Sequence, residues 1–375
     1  MKVTLKPLRD QVIVITGASS GIGLATARRA ARQGAKLVLA ARNGEALAEI
    51  VREIAAEGGE AIDVVADVGR REEVQRIADE SVRRFGGFDT WVNDAAVAIY
   101  GRIEQVTEDD ARRLFDTNFW GVVHGSLVAC EVLKGRGGAL INVGSVLSDV
   151  AIPLQGLYAA SKHAVKGFTD SLRMELEAEG APVSVTLIKP GSIDTPYPHH
   201  ARNYMDKEPK LPPPVYAPEL VADAILHAAQ KPVRDVFVGG SGRVMSALGK
   251  NAPRTYDRIG ERMFFASQKS DEPPREPTGS LFRPGLDGDI RGDYPGRVNE
   301  SSLYTRAALN PLVTGAAIAA GVAVIAWLIA TSTREEHEEG LLERARRAAP
   351  RRARETWRDS TRVAQRALSR YGLRV

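Results

Sequence analysis

The sequence has few cysteines, few histidines and few long apolar runs. Cys130 is its one cysteine, so no intramolecular disulfide can form, which is typical of a protein from a reducing compartment. No cysteine or acidic cluster accompanies the adjacent pair His199–His200, so we expect no metal site. Residues 1–17 contain no apolar stretch long enough for a signal peptide. We therefore expect the N-terminal part of the chain to stay in the cytoplasm.

Neither positive nor negative charge is in large excess over most of the chain. The 375 residues carry 51 basic and 47 acidic side chains, a formal net charge of +4. Residues 334–375 contribute 12 arginines against 7 acidic residues, so the rest of the chain has a net charge of −1. We therefore expect no binding of nucleic acid through charge, and the excess positive charge belongs to a C-terminal tail.

Short apolar runs alternate with helical patterns between residues 10 and 240. This alternation predicts an α/β fold with a Rossmann-type, doubly wound parallel sheet of about seven strands, covered by helices on both faces. The continuous apolar character of the runs is typical of strands that are buried on both faces. The predicted strands are Gln11–Thr16, Leu37–Ala41, Ala61–Ala66, Thr90–Asn93, Ala139–Val143, Val183–Ile188 and Asp235–Val238.

The character of the sequence changes after the α/β domain, which we place at residues 1–245. Residues 246–270 are predicted to form an amphipathic helical segment, and residues 271–308, rich in proline, glycine and charge, a linker. A transmembrane helix is predicted at residues 309–332 and an arginine-rich helical tail at residues 333–375. The apolar face of the amphipathic segment is predicted to comprise Tyr256, Ile259, Met263 and Ala266.

Leu312–Ser332 is a run of 21 residues without a charge. As a helix it would span about 30 Å, the thickness of a bilayer core. The tail that follows resembles a cationic helix lying on anionic lipid. We therefore expect a membrane-associated protein with its α/β domain in the cytoplasm. The alternatives are a buried or interfacial helix, a solvated tail and a soluble cytoplasmic protein.

A glycine-rich turn follows the first apolar run. Residues Thr16–Gly23 read TGASSGIG and lead directly into a helical pattern. Glycines let the chain turn tightly and bring backbone N–H groups close to a ligand. The N-terminus of the following helix favours a negatively charged pyrophosphate. This arrangement predicts a dinucleotide-binding loop.

The end of the second strand indicates which dinucleotide binds. An acidic side chain at this point selects a free ribose 2′-hydroxyl, whereas an arginine suits a 2′-phosphate. Ala41 stands where the acid would be, and Arg42 follows it. Because a guanidinium offers a planar fork of donors to phosphate, we expect NADP(H) in preference to NAD. The alternative is a solvated surface arginine.

Tyr158 and Lys162 lie four residues apart, on one face of a predicted helix. A fixed ammonium nearby stabilises a phenolate and lowers its pKa, so that the tyrosine can pass a proton to or from a carbinol oxygen. Ser145 stands at the end of a predicted strand, 13 residues before Tyr158. Its hydroxyl can hydrogen-bond the same substrate oxygen as charge develops there.

Together these motifs resemble the short-chain dehydrogenase/reductase family over about residues 8–242. The resemblance implies a Rossmann-type fold with a seven-stranded sheet and hydride transfer between a nicotinamide and a carbonyl/alcohol pair. The matching segments are Thr16–Gly23 for TGxxxGxG, Asn93–Ala96 for NNAG, Ser145, Tyr158 and Lys162 at the family's spacing, and Pro190, Gly191 and Thr195 for the PG segment after the sixth strand.

The resemblance also implies roles for individual residues. Tyr158 would be the acid/base, Lys162 would lower its pKa and hold the nicotinamide ribose, and Ser145 would orient the substrate oxygen. Asn118 would support a water and proton relay to the lysine. The residues implied to contact the cofactor are Gly17, Ser19, Ser20, Gly21, Ile22, Gly23, Arg42, Asp67, Val68, Asn93, Ala95, Tyr158, Lys162, Pro190, Gly191, Ile193 and Thr195.

The sequence departs from the family pattern at NNAG, where it reads NDAA. Asp94 replaces an amide and, when ionised, accepts hydrogen bonds without donating them. Ala96 adds a methyl group where the family usually has glycine. We expect this departure to affect cofactor affinity or local stability and to leave the catalytic set intact.

The loop from Ser192 to Tyr216 and the residues after Ser145 would enclose the substrate, and they are mainly apolar. We therefore expect an NADP(H)-dependent oxidoreductase that acts on a hydrophobic ketone, aldehyde or secondary alcohol. The alternative is a non-catalytic, membrane-tethered scaffold or cofactor sensor. Family members usually pair through two long helices, here about residues 104–133 and 156–179, so we expect a homodimer or homotetramer.

Overall fold

A parallel β-sheet forms the centre of the protein, in a computed structural model that describes residues 3–285, 287–310 and 314. The strands of these residues are β1 (Val12–Thr16), β2 (Lys36–Ala41), β3 (Glu60–Val65), β4 (Thr90–Asn93), β5 (Ile99–Tyr100), β6 (Gly138–Val143), β7 (Val183–Pro190), β8 (Ser192–Ile193), β9 (Arg202–Asn203), β10 (Val215–Tyr216), β11 (Asp235–Val238) and β12 (Val298–Asn299).

Seven of these strands pair in the order β11-β7-β6-β4-β1-β2-β3, and every pair is parallel. The chain runs outward through β2 and β3 on one side of β1 and through β4, β6, β7 and β11 on the other. Ligands in such folds bind at the carboxyl ends of the strands, where the order reverses. The predicted seven-stranded, doubly wound sheet is confirmed, and the predicted strands agree with the observed ones within two residues.

Helices cover both faces of the sheet. In the described residues they are α1 (Gly21–Arg32), α2 (Gly44–Ala56), α3 (Arg71–Phe85), α4 (Glu108–Phe115), α5 (Gly121–Arg136), α6 (Gly156–Ala178), α7 (Tyr197–His200), α8 (Pro218–Ala228), α9 (Gly240–Asn251), α10 (Pro253–Ile259), α11 (Phe265–Ser267) and α12 (Leu303–Leu309). A π-helical turn, Asp116–Trp120, joins α4 to α5.

Alternation along β1 divides its side chains between two apolar cores. Ile13 and Ile15 pack with residues of α1, α2 and α8. Val12 and Val14 pack on the opposite face, with residues of α3, α5 and α6. Successive side chains of a strand point to opposite faces, so a strand that feeds both cores must be apolar throughout. This is why the strand reads VIVIT.

The helical segment after β11 agrees only in part with the predicted apolar face. Tyr256 is buried, whereas Met263 is 61% exposed, and Ala266 is also exposed. A π-helical turn at Gly260–Phe264 inserts one extra residue between α10 and α11. Side chains beyond the turn are rotated, so Phe264 and Gln268 replace Met263 and Ala266 on the inner face.

Residues 271–308 do not form the predicted linker. The compact unit that holds the sheet extends through them to Leu309. Leu281 is fully buried, β12 pairs in parallel with β10, and the Thr305 hydroxyl accepts a hydrogen bond from the Gly239 amide at 3.0 Å. The composition is typical of a linker, but isolated buried residues and backbone hydrogen bonds hold the segment against the domain.

Among the described residues, no helix is both long enough and apolar enough to cross a membrane. The predicted span at residues 309–332 lies outside the described residues except for Leu309, Asn310 and Thr314, and the predicted tail at residues 333–375 lies wholly outside them. The membrane contact therefore stays a prediction.

Candidate active site

In the glycine-rich loop between β1 and α1, backbone segments lie too close together for side chains to fit between them. Gly17 has φ +73°, and a Cβ on it would lie 2.8 Å from the backbone of Ala95. A Cβ on Gly23 would lie 2.2 Å from the carbonyl oxygen of Gly17. Ser20 is the N-cap of α1 but makes no side-chain cap hydrogen bond. Only glycine fits this cradle, and the first turn of α1 has the backbone donors that a dinucleotide pyrophosphate requires.

Most of the predicted cofactor residues line a single cleft at the carboxyl ends of the strands, with a volume of about 300 Å³. Those that line it are Gly17, Ser19, Ser20, Gly21, Ile22, Arg42, Asp67, Val68, Ala95, Tyr158, Lys162, Pro190, Gly191, Ile193 and Thr195. Gly23 and Asn93 are not among its lining residues. Gly23 instead lets α1 pack closely on the loop.

Asn93 is not a lining residue of the cleft, and its side chain is hydrogen-bonded inside the domain; its predicted contact with the cofactor stays a prediction. Its amide nitrogen donates to Asn142 Oδ1 at 2.8 Å and to Ser126 Oγ at 3.2 Å. Its oxygen accepts from Trp91 Nε1 at 2.8 Å. Buried polar groups must be hydrogen-bonded, and these bonds engage the Asn93 amide in a network that ties β4 to β6 and α5.

Arg42 lies at the predicted adenosine end, but much of its hydrogen-bonding capacity is already used. Its guanidinium donates to the carbonyl oxygens of Leu281 at 3.0 Å and Arg283 at 3.3 Å, and also to that of Ser280. Burial and then the charge of Arg113 lower the pKa of Arg42. Sequence reasoning could not find these partners because they stand about 240 residues further along the chain.

Asp67 pairs with Arg113 beside this guanidinium, through a bond of 2.6 Å. Burial would raise the pKa of Asp67, but the hydrogen bonds from Arg113 and from the Gly69 amide hold it below its ordinary value. Two arginines therefore meet the ionised Asp67 carboxylate here, and Asp287 also acts on Arg42.

Asp94, the departure from the family pattern, lies beside the glycine-rich loop. Its backbone amide donates to Thr16 Oγ1 at 3.2 Å, and its carboxylate accepts from the Gly23 amide in the first turn of α1. An asparagine oxygen could accept the same bond, so the acid preserves this contact. Burial raises the pKa of Asp94 to about 7, although Lys162 and the Gly23 amide oppose the shift.

We expect Asp94→Asn to stabilise the protein at pH 8 and to change little near pH 4. The folded pKa of Asp94 lies above its unfolded value, so wild-type stability falls as the pH rises from about 4 to 7. The full shift corresponds to about 4 kcal/mol. Because the carboxylate opens onto the cleft and interacts with Lys162, we expect Asp94→Asn to stabilise the protein at pH 8 by about 1–2 kcal/mol. Urea unfolding of the wild type and of Asp94→Asn at several pH values measures this difference, and the exposed Asp79→Asn is the control. A difference independent of pH would contradict the prediction.

Ser145, Tyr158 and Lys162 come together in the cleft. Ser145 follows β6 and caps a short 3-10 turn, its hydroxyl accepting from the Leu147 amide at 3.0 Å. Tyr158 and Lys162 lie one turn apart on α6. The Lys162 ammonium donates to the Val143 carbonyl at 2.9 Å and lies 5.7 Å from the centroid of the Tyr158 ring. The serine hydroxyl also hydrogen-bonds the Tyr158 phenol.

The pKa of Tyr158 moves in the direction opposite to the prediction. Burial raises it to about 12, although hydrogen bonds from Tyr197 and Ser145 act to lower it. Burial also lowers the pKa of Lys162 to about 8, with the charge of Asp94 opposing that shift. Desolvation penalises both the phenolate and the ammonium. The lysine therefore does not offset the cost of burying the tyrosine.

A polar chain leads from Tyr158 along the wall of the cleft to Gln268, which does not line it. Tyr197 hydrogen-bonds the Tyr158 phenol and donates to Gln155 Oε1 at 3.0 Å. The Gln155 amide donates to Gln268 Oε1 at 2.7 Å. Sequence reasoning placed Tyr197 in the substrate loop but did not identify it as a partner of Tyr158, because no spacing rule connects the two positions.

Asn118 lies outside the cleft, on the π-helical turn between α4 and α5, and its side chain is fully buried. It accepts from the Val97 amide at 2.8 Å and donates to the Val97 carbonyl at 2.9 Å. It also donates to Ser161, whose hydroxyl bonds the Tyr158 carbonyl. Its side chain thus positions the start of α6, and the implied catalytic role is not visible in its contacts.

The end of the cleft beyond Ser145 and Tyr158 has mainly apolar walls. Val146, Leu147 and Ile152, which follow Ser145, are lining residues, and so are Tyr197 and the polar residue Gln155. Other apolar residues of the lining are Tyr100, Leu211, Pro212, Pro213, Pro214, Met245 and Phe264. Met245 and Phe264 belong to the helical segment after β11, which sequence reasoning did not connect with the cleft.

Residues 11–205 match the short chain dehydrogenase family. The oxidoreductase YxnA of Bacillus subtilis is 49% identical over 338 residues, which cover 89% of this chain and 94% of YxnA. The oxidoreductase SadH of Mycobacterium tuberculosis is 33% identical over 267 residues, 68% of this chain and 95% of SadH.

Solved structures show the same fold. A short chain dehydrogenase/reductase from Burkholderia phymatum in complex with NAD superposes with a TM-score of 0.60, at 28% identity over 67% of this chain and 96% of that one. An alcohol dehydrogenase from Thermococcus sibiricus, complexed with 5-hydroxy-NADP, gives a TM-score of 0.54 at 28% identity, over 61% and 95%. The cleft geometry and these likenesses agree, and the chain belongs to the short-chain dehydrogenase/reductase family.

Proposed function

We propose that this protein is an NADP(H)-dependent oxidoreductase that reduces a hydrophobic ketone or aldehyde to an alcohol. The observation that carries the proposal is the meeting of Ser145, Tyr158 and Lys162 in the same cleft as the glycine-rich loop. A hydroxyl, a phenol and an ammonium around one point can hold a carbonyl oxygen and supply its proton.

A bound nicotinamide would supply or accept the hydride. Tyr158 then gives its phenolic proton to the substrate oxygen as the carbonyl becomes an alcohol. Ser145 hydrogen-bonds that oxygen, and Lys162 holds a positive charge one helical turn away. A pKa of about 12 keeps the phenol of Tyr158 protonated at neutral pH. A protonated tyrosine is ready to act as the acid of the reduction.

The preference for NADP(H) over NAD rests on the charges at the adenosine end. Arg42 follows β2, where an acid would select a free ribose hydroxyl, and Arg113 lies beside it. Asp67 is ionised and pairs with Arg113, and Asp287 also acts on Arg42. The guanidinium of Arg42 supplies the planar fork of donors that suits a 2′-phosphate.

The substrate class rests on the composition of the other end of the cleft. The charged residues that line the described cleft are Arg42, Asp67, Asp94, Lys162, His200 and Asp287. Lys162 is engaged with Val143, and the pocket beyond Tyr158 is walled mainly by aliphatic, aromatic and proline residues, with Gln155 as an uncharged polar residue. A substrate with an anionic group would lose its hydration in this pocket without gaining a cationic partner. We therefore propose an uncharged, apolar carbonyl compound.

A screen of carbonyl compounds tests the function. The loss of NADPH absorbance is followed with apolar ketones and aldehydes and with carboxylated analogues of the same size. We expect turnover of apolar compounds and weak or no turnover of their carboxylated analogues. Binding of NADPH without turnover of any carbonyl compound would favour the non-catalytic scaffold or sensor instead.

We also propose that the protein forms a homodimer or homotetramer through α5 and α6. Apolar side chains are exposed on this face: Trp120, before α5, is 48% exposed and Met174, on α6, is 62% exposed. We expect residues 1–309 to scatter light as a dimer or tetramer and Met174→Arg to weaken the assembly. Met263→Arg is a matched control, since Met263 is equally exposed elsewhere. A wild-type monomer would contradict the proposal.

A further inference from the structure

A segment after the helical region crosses the mouth of the cleft. It comprises residues 280–285 and 287–293, here termed the strap. At the adenosine end, Arg42 donates to three of its carbonyl groups, Arg113 donates to the Leu281 carbonyl at 3.1 Å, and Asn43 donates to the Gly285 carbonyl at 3.2 Å. Leu281 is fully buried, so this end of the strap is fixed to the domain.

The middle of the strap contacts the glycine-rich loop itself. The Gly288 amide donates to the Ser19 carbonyl at 2.9 Å, and the Gly21 amide donates to the Asp289 carbonyl at 2.9 Å. Gly21 is the first residue of α1. A strap carbonyl thus satisfies one of the helix N-terminal donors next to the place where a dinucleotide pyrophosphate would bind.

The far end of the strap lies against the predicted nicotinamide side. A Cβ on Gly292 would lie 2.6 Å from the Thr195 carbonyl oxygen. Asp293 accepts from His199 Nε2 at 2.7 Å. Arg291 forms ion pairs with Glu219 of α8 at 3.0 Å and with Glu300 at 2.6 Å. Arg291 bonds both oxygens of each carboxylate, and Ile290 packs against the main apolar core. The ion pairs of Arg291 are partly exposed, unlike the fully buried Leu281.

The strap does not fill the cleft. Ser280, Pro284, Gly285 and Asp287 line it together with the floor residues of the glycine-rich loop and β2. Space therefore remains between the floor and these strap residues, and a dinucleotide in that space would be covered at its adenosine end.

We propose that the strap is the outer wall of the cofactor site and that its Arg291 end opens to admit and release NADP(H). The inference rests on the proposed function, because it takes the nicotinamide cofactor as the ligand. Water can compete for the partly exposed ion pairs of Arg291, whereas Leu281 is fully buried. We therefore place the hinge of the strap at the adenosine end. The cofactor then leaves only after the strap bonds to Ser19 and Gly21 break, so its release is slow.

Arg291→Ala tests this proposal without altering a cleft residue. Full-length wild type, Arg291→Ala and the control Arg83→Ala, which loses an exposed ion pair on α3, are loaded with NADPH. Release is followed by fluorescence after excess NADP⁺ is added. We expect about three- to tenfold faster release from Arg291→Ala and no change from the control, since such ion pairs are worth up to about 1 kcal/mol. Hydrogen exchange of residues 287–293 should slow with NADPH in wild type and less so in Arg291→Ala.

Arg291→Lys tests the same opening with the opposite sign, because it keeps the positive charge that faces Glu219 and Glu300. We expect the release rate of NADPH from Arg291→Lys to be closer to that of wild type than to that of Arg291→Ala. Equal release rates in all variants would overturn the strap proposal alone. Failure of wild type to bind either NADPH or NADH would overturn the proposed function and this inference with it.

Discussion

Tyr158→Phe is expected to lower kcat for carbonyl reduction by about 10²–10⁴-fold, the usual contribution of a positioned general acid. The substitution keeps the ring, which packs against Tyr197 with centroids 5.6 Å apart, and removes the phenolic proton. Since the aromatic packing remains, we expect affinity for NADPH to be nearly unchanged. Steady-state kinetics and fluorescence titration with NADPH measure the two quantities separately.

Tyr204→Phe is the matched control for this prediction. Tyr204 bonds Asp110 at 2.6 Å through its hydroxyl and does not line the cleft. The Tyr204→Phe variant should retain most of the wild-type turnover. If Tyr158→Phe kept more than a small fraction of wild-type activity, another group would have to supply the proton, and the role assigned to Tyr158 would be wrong.

We expect the wild-type protein to bind NADPH about ten- to a hundredfold more tightly than NADH, and Arg42→Ala to lose this preference. A charge-assisted hydrogen bond to phosphate contributes about 1.5–3 kcal/mol, which corresponds to this ratio. The substitution also removes the bonds to the Ser280, Leu281 and Arg283 carbonyls, so it should weaken both cofactors. The ratio of the two dissociation constants isolates the contribution of the phosphate.

Asn43→Ala separates these two effects. It removes the strap bond to Gly285 and the N-cap bond from the Ala46 amide, but no charge. Both cofactors should therefore weaken equally, and their ratio should stay at the wild-type value. Equal binding of NADPH and NADH by the wild-type protein would contradict the prediction. In that case Asp287, which lines the cleft near Arg42, would be the candidate to read a free ribose hydroxyl.

The sheet and the central catalytic group were predictable because their signals are local. The apolar runs define the strands, TGASSGIG defines the loop, and the four-residue spacing of Tyr158 and Lys162 places both on one helical face. Each signal lies within about 20 residues and depends on backbone geometry that sequence periodicity encodes.

The remaining features depend on contacts between distant residues. The partners of Arg42 follow it by about 240 residues, and the strap has no apolar periodicity to mark it. The orientation of the Asn93 side chain depends on its bonds to Asn142 of β6 and Ser126 of α5. The π-helical turn at Gly260–Phe264 changes which side chains face inward, and a pattern of constant helical period cannot anticipate such a turn.

The pKa of Tyr158 could not be predicted from its spacing to Lys162. The sequence indicates that an ammonium is near, but not how deeply the phenol is buried. In the structure, burial outweighs the hydrogen bonds from Tyr197 and Ser145. The balance between desolvation and charge is a property of the assembled cleft.

The hydrogen bond between Gln155 and Gln268 joins positions 113 residues apart in the chain. A ribosome adds about 5–20 residues per second, so Gln268 is synthesised about 6–23 s after Gln155. During this interval Leu147, Ile152 and their apolar neighbours are exposed to solvent, because the helices that later enclose them have not been made. Exposed apolar side chains can associate with other nascent chains. Chains that terminate before Gln268 should therefore aggregate or be degraded, and enzyme yield in a host cell should depend on how fast the last hundred residues are translated.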